Sequence, residues 1–147
     1  MAELTRKELL MGMIGAQRLR LAGVDLSGLD MRRLDFEGAN LRGANLQTAN
    51  MREAILRSAN MTGTVMIRTN LSFADLNLAI LILGDFTVAD LTGARLTGAN
   101  LQNANLSGAN LTNADMKGAN VTGVRFDAGT TWPDGKKGTA GNPSNYI

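Results

Sequence analysis

The chain has 147 residues, a formal net charge of +2 and 44% hydrophobic residues, which is one domain's worth of sequence. It lacks cysteine, which excludes a disulfide framework and Cys-based metal or nucleophilic chemistry, and lacks histidine, the commonest general base and transition-metal ligand. Fifteen basic residues against thirteen acidic do not demand nucleic acid as a partner, and no apolar run nears the ~20 residues of a membrane span.

The first predicted element is a short helix from Arg6 to about Ile14. Thr5-x-x-Glu8 is a capping box, and Leu9, Leu10, Met13 and Ile14 follow at helical spacing. The stretch Leu9–Ala16 has some character of a secretory signal. Glu8, two glycines and the arginines that follow argue against one, so the protein is expected to be cytoplasmic. Residues 1–18 are read as an N-terminal helical cap.

From Leu19 to Phe126 the chain repeats every five residues. Counted from Leu21, 22 consecutive unit centres are apolar: 13 Leu, 5 Met, 3 Phe and Val121. Two residues earlier, 14 of the 22 are Ala, and the residue between is Asn or Asp in 16. A period of five fits neither a helix nor a long strand. Locally, Ala-Asn-Leu reads in, out, in, as in a strand, and the two residues that follow are turn formers. A chain bending the same way every five residues must coil, with Ala and Leu toward the axis and successive coils paired at ~4.8 Å.

Charges indicate four units per coil. With residues 20 apart stacked, Arg95 falls between Asp75 and Asp115, Glu37 under Arg57, and Arg33 under Glu53; only Arg32 over Arg52 is unfavourable. A 15-residue coil would instead set Asp75 beside Asp90.

The A-[DN]-L-x-x units, such as Ala99-Asn100-Leu101, resemble the pentapeptide-repeat family, and the tail resembles that of cyanobacterial members. The resemblance implies an all-β solenoid, a right-handed quadrilateral β-helix with four pentapeptides per coil. Over residues 19–128 this makes about five and a half coils, roughly 25 Å tall at the strand spacing.

Arginines concentrate early, and Arg32, Arg52 and Arg57 form a candidate basic strip for nucleic acid or another polyanion. Glu37 and Glu53 interrupt it and no aromatic residues interleave, so nucleic acid is disfavoured. Some members of the family mimic DNA and bind type II topoisomerase (gyrase). Such mimicry needs an extended acidic surface, whereas here acids alternate with Asn and Arg.

The run Leu78–Leu83 departs from the pattern. Ala79, Leu81, Gly84 and Phe86 hold inward positions, and Phe86 beside Gly84 reads as a volume exchange. The anomaly is the outward set Leu78, Ile80, Ile82 and Leu83. With Val65 and Ile67 one coil earlier, these residues form a candidate protein-interaction patch, because contiguous exposed apolar residues mark contact surfaces. Phe73 and Val88 project from other corners.

After Phe126 the repeat stops. Trp132, beside a Pro133-Asp134-Gly135 turn, is expected to lie over the last coil. Residues 129–147 are read as a capping turn and a flexible tail.

Nothing points to catalysis, so the chain is not expected to be an enzyme, and no catalytic residue, cofactor or metal ligand is named. "GTTWPDGKK" has the wrong spacing for a phosphate loop, and Lys137 stands where Ser or Thr is needed. The carboxylates sit at the repeat's Asn/Asp position on a convex surface, where paired acids have no pocket to converge on. Asn-x-Ser/Thr matches follow automatically from the repeat and carry no weight as glycosylation sites. The function expected is a rigid, non-enzymatic scaffold for protein–protein interaction, open to a regulatory role. Its partner is an unidentified protein or a second copy of itself, with gyrase binding and polyanion binding as alternatives.

Overall fold

The computed structural model describes residues 4–13 and 18–147. α1 (Arg6–Met13) precedes a four-sided coil in which each five-residue unit makes one parallel bridge to the unit 20 residues on. The bridges stack into four columns, one per side. The first side carries Arg20, Asn40, Asn60, Ile80, Asn100 and Asn120, and the second Asp25, Asn45, Val65, Asp85, Asn105 and Arg125. The third carries Asp30, Asn50, Asn70, Asp90, Asn110 and Thr131, and the fourth Asp35, Ile55, Asp75, Arg95 and Asp115. Stacking at 20 residues is the register that the charges indicated.

One unit explains the repeat's composition. Leu41 N–H donates to the Asn60 carbonyl of the next coil at 2.8 Å, and Gly43 N–H to that of Thr62 at 2.9 Å. Ala44 N–H closes the turn on the Leu41 carbonyl at 3.0 Å, while Asn45 N–H donates back to Val24 at 3.0 Å. That leaves Arg42 N–H, which donates to Asn40 Oδ1 at 3.2 Å. Asn and Asp dominate this position because their side chains satisfy the one amide that the coils leave over.

The corners account for the glycines. Every fifth residue from Gly23 to Gly123 is left-handed, with φ between 54° and 71°. Ten of these are glycine and eleven are not, and each non-glycine residue carries a backbone cost of about 1–2 kcal/mol.

The interior is a single column of Leu, Met and Phe centres alternating with Ala. Phe86 is wholly buried, and a Cβ on Gly84 would lie 2.9 Å from its ring, as the expected exchange of volume requires. Thr64 and Thr69 stand inward in place of Ala, with their hydroxyls donating to the carbonyls of Met61 (2.8 Å) and Leu46 (2.6 Å).

At the N-terminus the capping box forms: Glu8 N–H donates to Thr5 Oγ1 at 3.2 Å, and Thr5 N–H to Glu8 Oε2 at 2.7 Å. Leu9 is buried and Met13 packs against the core. Leu10, expected on the covering face, is exposed instead. Ile14 lies outside the described residues.

The C-terminal end differs from expectation. The repeat does not end at Phe126; it slips by one residue and continues. Thr130 takes the inward small position, Thr131 bridges Asn110, and Trp132 fills the buried centre. Asp127 absorbs the extra residue, its Oδ1 accepting the Gly108 N–H at 2.9 Å where a carbonyl serves the corresponding amide in other units. Nor does the tail hang free. Two 3-10 turns, Gly138–Ala140 and Pro143–Asn145, return it to Trp132. The indole donates to the Gly138 carbonyl at 2.7 Å, meets Phe126 edge-on at 5.1 Å and stacks with Tyr146 at 5.8 Å. Gly141 lies so close to the indole that a Cβ there would fall 2.1 Å from the ring. Tyr146 in turn donates to Asp134 at 2.9 Å.

Candidate interaction surface

Outward side chains alternate along a rung, so Leu78, Ile80 and Ile82 cross the first side in one line, and Leu83 follows at the corner to the second side. Leu78, Leu83 and Ile80 are exposed, at 63%, 61% and 38%, and Ile82 is half-buried. Val65 bridges Asp85 on the second side, one rung down from Leu83 and two residues along. Ile67 lies at that side's far corner, and both it and Val65 are half-buried.

Two departures from the local rules coincide here. Ile80 stands where Asn or Asp would accept the amide two residues on, so Ile82 N–H loses the acceptor that Asn60 gives Thr62 at 3.2 Å. Val65 deprives Ile67 in the same way. Leu78 and Leu83 also occupy left-handed corners, at φ 60° and 58°.

Phe73 and Val88 extend this second departure. Phe73, Leu78, Leu83 and Val88 are the four successive corners of one coil, all left-handed, exposed and apolar. With Ile80 they account for all the large exposed apolar residues between residues 18 and 146. Three of the four lean on a glycine in the next coil: Phe73 on Gly93, Leu78 on Gly98 and Val88 on Gly108. The Arg52 guanidinium sits 4.9 Å from the Phe73 ring, so that side chain is held within its own rod. Leu83 faces Asn103 rather than glycine. This belt was readable as non-glycine residues at the glycine position, once that position is known to be left-handed.

The basic strip does not form a free positive surface. Arg32 is held by Asp30 through two contacts, at 2.8 and 2.7 Å, and this pairing holds the Asp30 carboxyl well below its usual range. Arg33 (2.6 Å) and Arg52 (3.1 Å) share Glu53, whose pKa they lower, Arg33 foremost. Arg57 lies at a different corner, paired with Glu37 at 3.3 Å and near Asp75 at 3.8 Å. The structure thus separates Arg57 from Arg32 and Arg52 and gives each arginine a carboxylate.

Among the described residues, no group of His, Cys, Asp or Glu is arranged to hold a metal, and no helix is long and apolar enough to cross a membrane.

A family model of pentapeptide repeats matches residues 20–57, 49–81 and 89–127, in 8 copies. Among solved structures, the chain is similar to the pentapeptide repeat protein Rfr23 of the cyanobacterium Cyanothece 51142. The two are 32% identical with a TM-score of 0.76, over 77% of this chain and 90% of that one. A pentapeptide repeat protein of the Arabidopsis thaliana thylakoid lumen is 35% identical, over 69% of this chain and 66% of its own, with a TM-score of 0.44. QnrB1, a plasmid-mediated fluoroquinolone resistance protein, is 27% identical over 70% and 57%, with a TM-score of 0.41. No curated protein matches the chain. The repeats and the Rfr23 likeness imply a right-handed quadrilateral β-helix.

Proposed function

Because the chain belongs to the pentapeptide-repeat family, we propose that it is a non-enzymatic, rigid scaffold for protein–protein interaction. Its contact surface is Leu78, Ile80, Ile82 and Leu83, extended by Val65 and Ile67. In this reading residues 1–18 cap a rod that begins at residue 19 and runs through the slipped unit to Trp132, and the residues after it close its other end. The expected compartment is the cytoplasm.

The observation that carries the reading is the concentration of exposed apolar side chains in one coil of an otherwise polar rod. Isolated exposed apolar residues are ordinary; a contiguous set marks an interaction surface. Backbone cost strengthens the case. Left-handed Leu78 and Leu83 and the missing acceptor at Ile80 each lower stability. The charge pattern favours this reading over the alternatives. A DNA mimic for gyrase needs unpaired acids in series, whereas Asp30, Glu53 and Asp75 are each matched by arginine.

Replacing Ile80 with Asn and Ile82 with Thr tests it, since the pair recreates the Asn60–Thr62 arrangement found one coil below. The double variant is expected to melt no lower than the parent, yet to lose partner capture in pull-downs or to lose mass by light scattering. If capture and mass both stay unchanged, the patch is not a contact surface.

A further inference from the structure

We infer that the occupant of this surface is a second copy of the chain, in a two-fold contact between first sides centred on Ile80. The inference rests on the interaction reading above and names its partner.

Charge is the first argument. The second, third and fourth columns each carry carboxylates: Asp25 and Asp85, Asp30 and Asp90, and Asp35, Asp75 and Asp115. Between Asn40 and Thr122 the first side presents no acid, and Arg42 is its only charge. A two-fold contact sets a surface against itself, so any charge near the axis meets its own kind. Of the four sides only the first avoids this, over the rungs from Asn40 to Asn120 that lie beyond Arg20. It offers a charged partner nothing to recognise, which disfavours a strongly acidic or basic protein.

Position is the second. Ile80 is the midpoint of the five uncharged rungs Asn40, Asn60, Ile80, Asn100 and Asn120, with Arg20 one rung further out at the N-terminal end of the column. A dyad there brings those five rungs into contact, placing Leu78, Ile80 and Ile82 at the centre and Asn, Thr, Gln, Gly and Arg42 at the rim. An apolar centre ringed by polar residues is the usual anatomy of a specific interface. Whether the dyad runs along the rod or along the rung, Ile80 faces Ile80 of the other copy. Arg42 then faces Gly38 or Thr122 of that copy, never another Arg42.

Area is the third. A stable interface takes about 800 Å² from each partner, roughly a ninth of the 7124 Å² of accessible surface here. One of four long sides can supply that share.

The test uses the feature that the residue at a dyad meets itself. Asp and Arg already occupy this position elsewhere, at Asp75 and Arg95 for example, so Ile80→Asp and Ile80→Lys are both expected to fold. By light scattering across a concentration series at low ionic strength, the parent should rise from 15.6 kDa toward twice that mass. Each charge variant alone should stay at 15.6 kDa, and an equimolar mixture of the two should recover the dimer. A parent that remains monomeric at about 100 µM, well above the Kd range of stable complexes, overturns the inference. So does a dimer that either variant leaves intact, or a mixture that fails to reassociate. If the parent is monomeric while the Ile80→Asn, Ile82→Thr variant still loses a heterologous partner, the self-contact falls and the interaction surface stands.

Discussion

Gly84 and Phe86 divide one volume between them. The small inward position is Ala in most units, but beside the Phe86 ring a Cβ would sit at 2.9 Å, so only glycine fits. Gly84→Ala alone should cost about 1–3 kcal/mol by overpacking. Phe86→Leu alone should cost about 1–2 kcal/mol through the void it leaves. The pair restores the Ala–Leu combination of other units, and urea unfolding should show the double variant at least about 1 kcal/mol more stable than the sum of the two costs. Ile80 illustrates the opposite kind of departure, one that a single change repairs. Ile80→Asn supplies the acceptor missing for Ile82 N–H and should raise stability by about 0.5–1.5 kcal/mol. A residue whose replacement improves folding while impairing association is held there by association. The residues around Ile80 were legible from spacing, because inward and outward alternate strictly. Their backbone cost was not, since no property of the sequence states that the last position of each unit is left-handed.

At the scale of elements, the two ends are built differently. α1 contributes Leu9 to the core and leaves Leu10 and Met11 in solvent, so its cover is narrow. The C-terminal end is a slipped repeat unit locked by a folded tail. Asp134 ties that lock: it accepts from Lys136 Nζ at 2.6 Å and from Tyr146 at 2.9 Å. Its pKa is depressed from 3.8 to about 2, first by the Lys136 hydrogen bond. A carboxylate with a depressed folded-state pKa contributes its stability fully above the unfolded value and loses it as pH falls toward the folded one. Trp132 fluorescence should therefore be constant from neutral pH to about 4 and change between 3.8 and about 2. Asp134→Asn should remove that step. Emission that already shifts between pH 6 and 5 would contradict the assignment. The helix and its capping box were readable from Thr5 and Glu8. The slip at Asp127 was not, because it depends on a side-chain oxygen replacing a carbonyl across 19 residues of sequence.

The molecule as a whole is a stack in which each coil hydrogen-bonds only to its neighbours. Loss of an end exposes unpaired amides and apolar core together. Ending the chain at residue 128 would free the amides of Leu111 and Asn113, which donate to Thr131 and Pro133, and would uncover Phe126. Hydrogen exchange should then show protection falling first in residues 106–126 and last in the middle coils. A uniform loss along the rod would mean that it unfolds as one unit. The charge ladder on the fourth side, Glu37 to Arg57 to Asp75 to Arg95, links successive coils through pairs whose arginines are exposed and whose Asp75 is half-buried. Such pairs contribute about 0–1 kcal/mol each and fade with salt, so they set register more than stability.

The repeat by itself determined the period, the inward column, the 20-residue stacking and the outward apolar set, because each follows from alternation and from like residues recurring in phase. Only the tertiary structure decided how each arginine of the early strip is neutralised and that Trp132 is a core residue of a slipped unit. Those outcomes depend on side chains choosing between partners in their own turn, as Arg32 and Arg52 do, and partners a full coil away, as Arg57 does. A five-residue period makes such partners neighbours without saying which of them will pair.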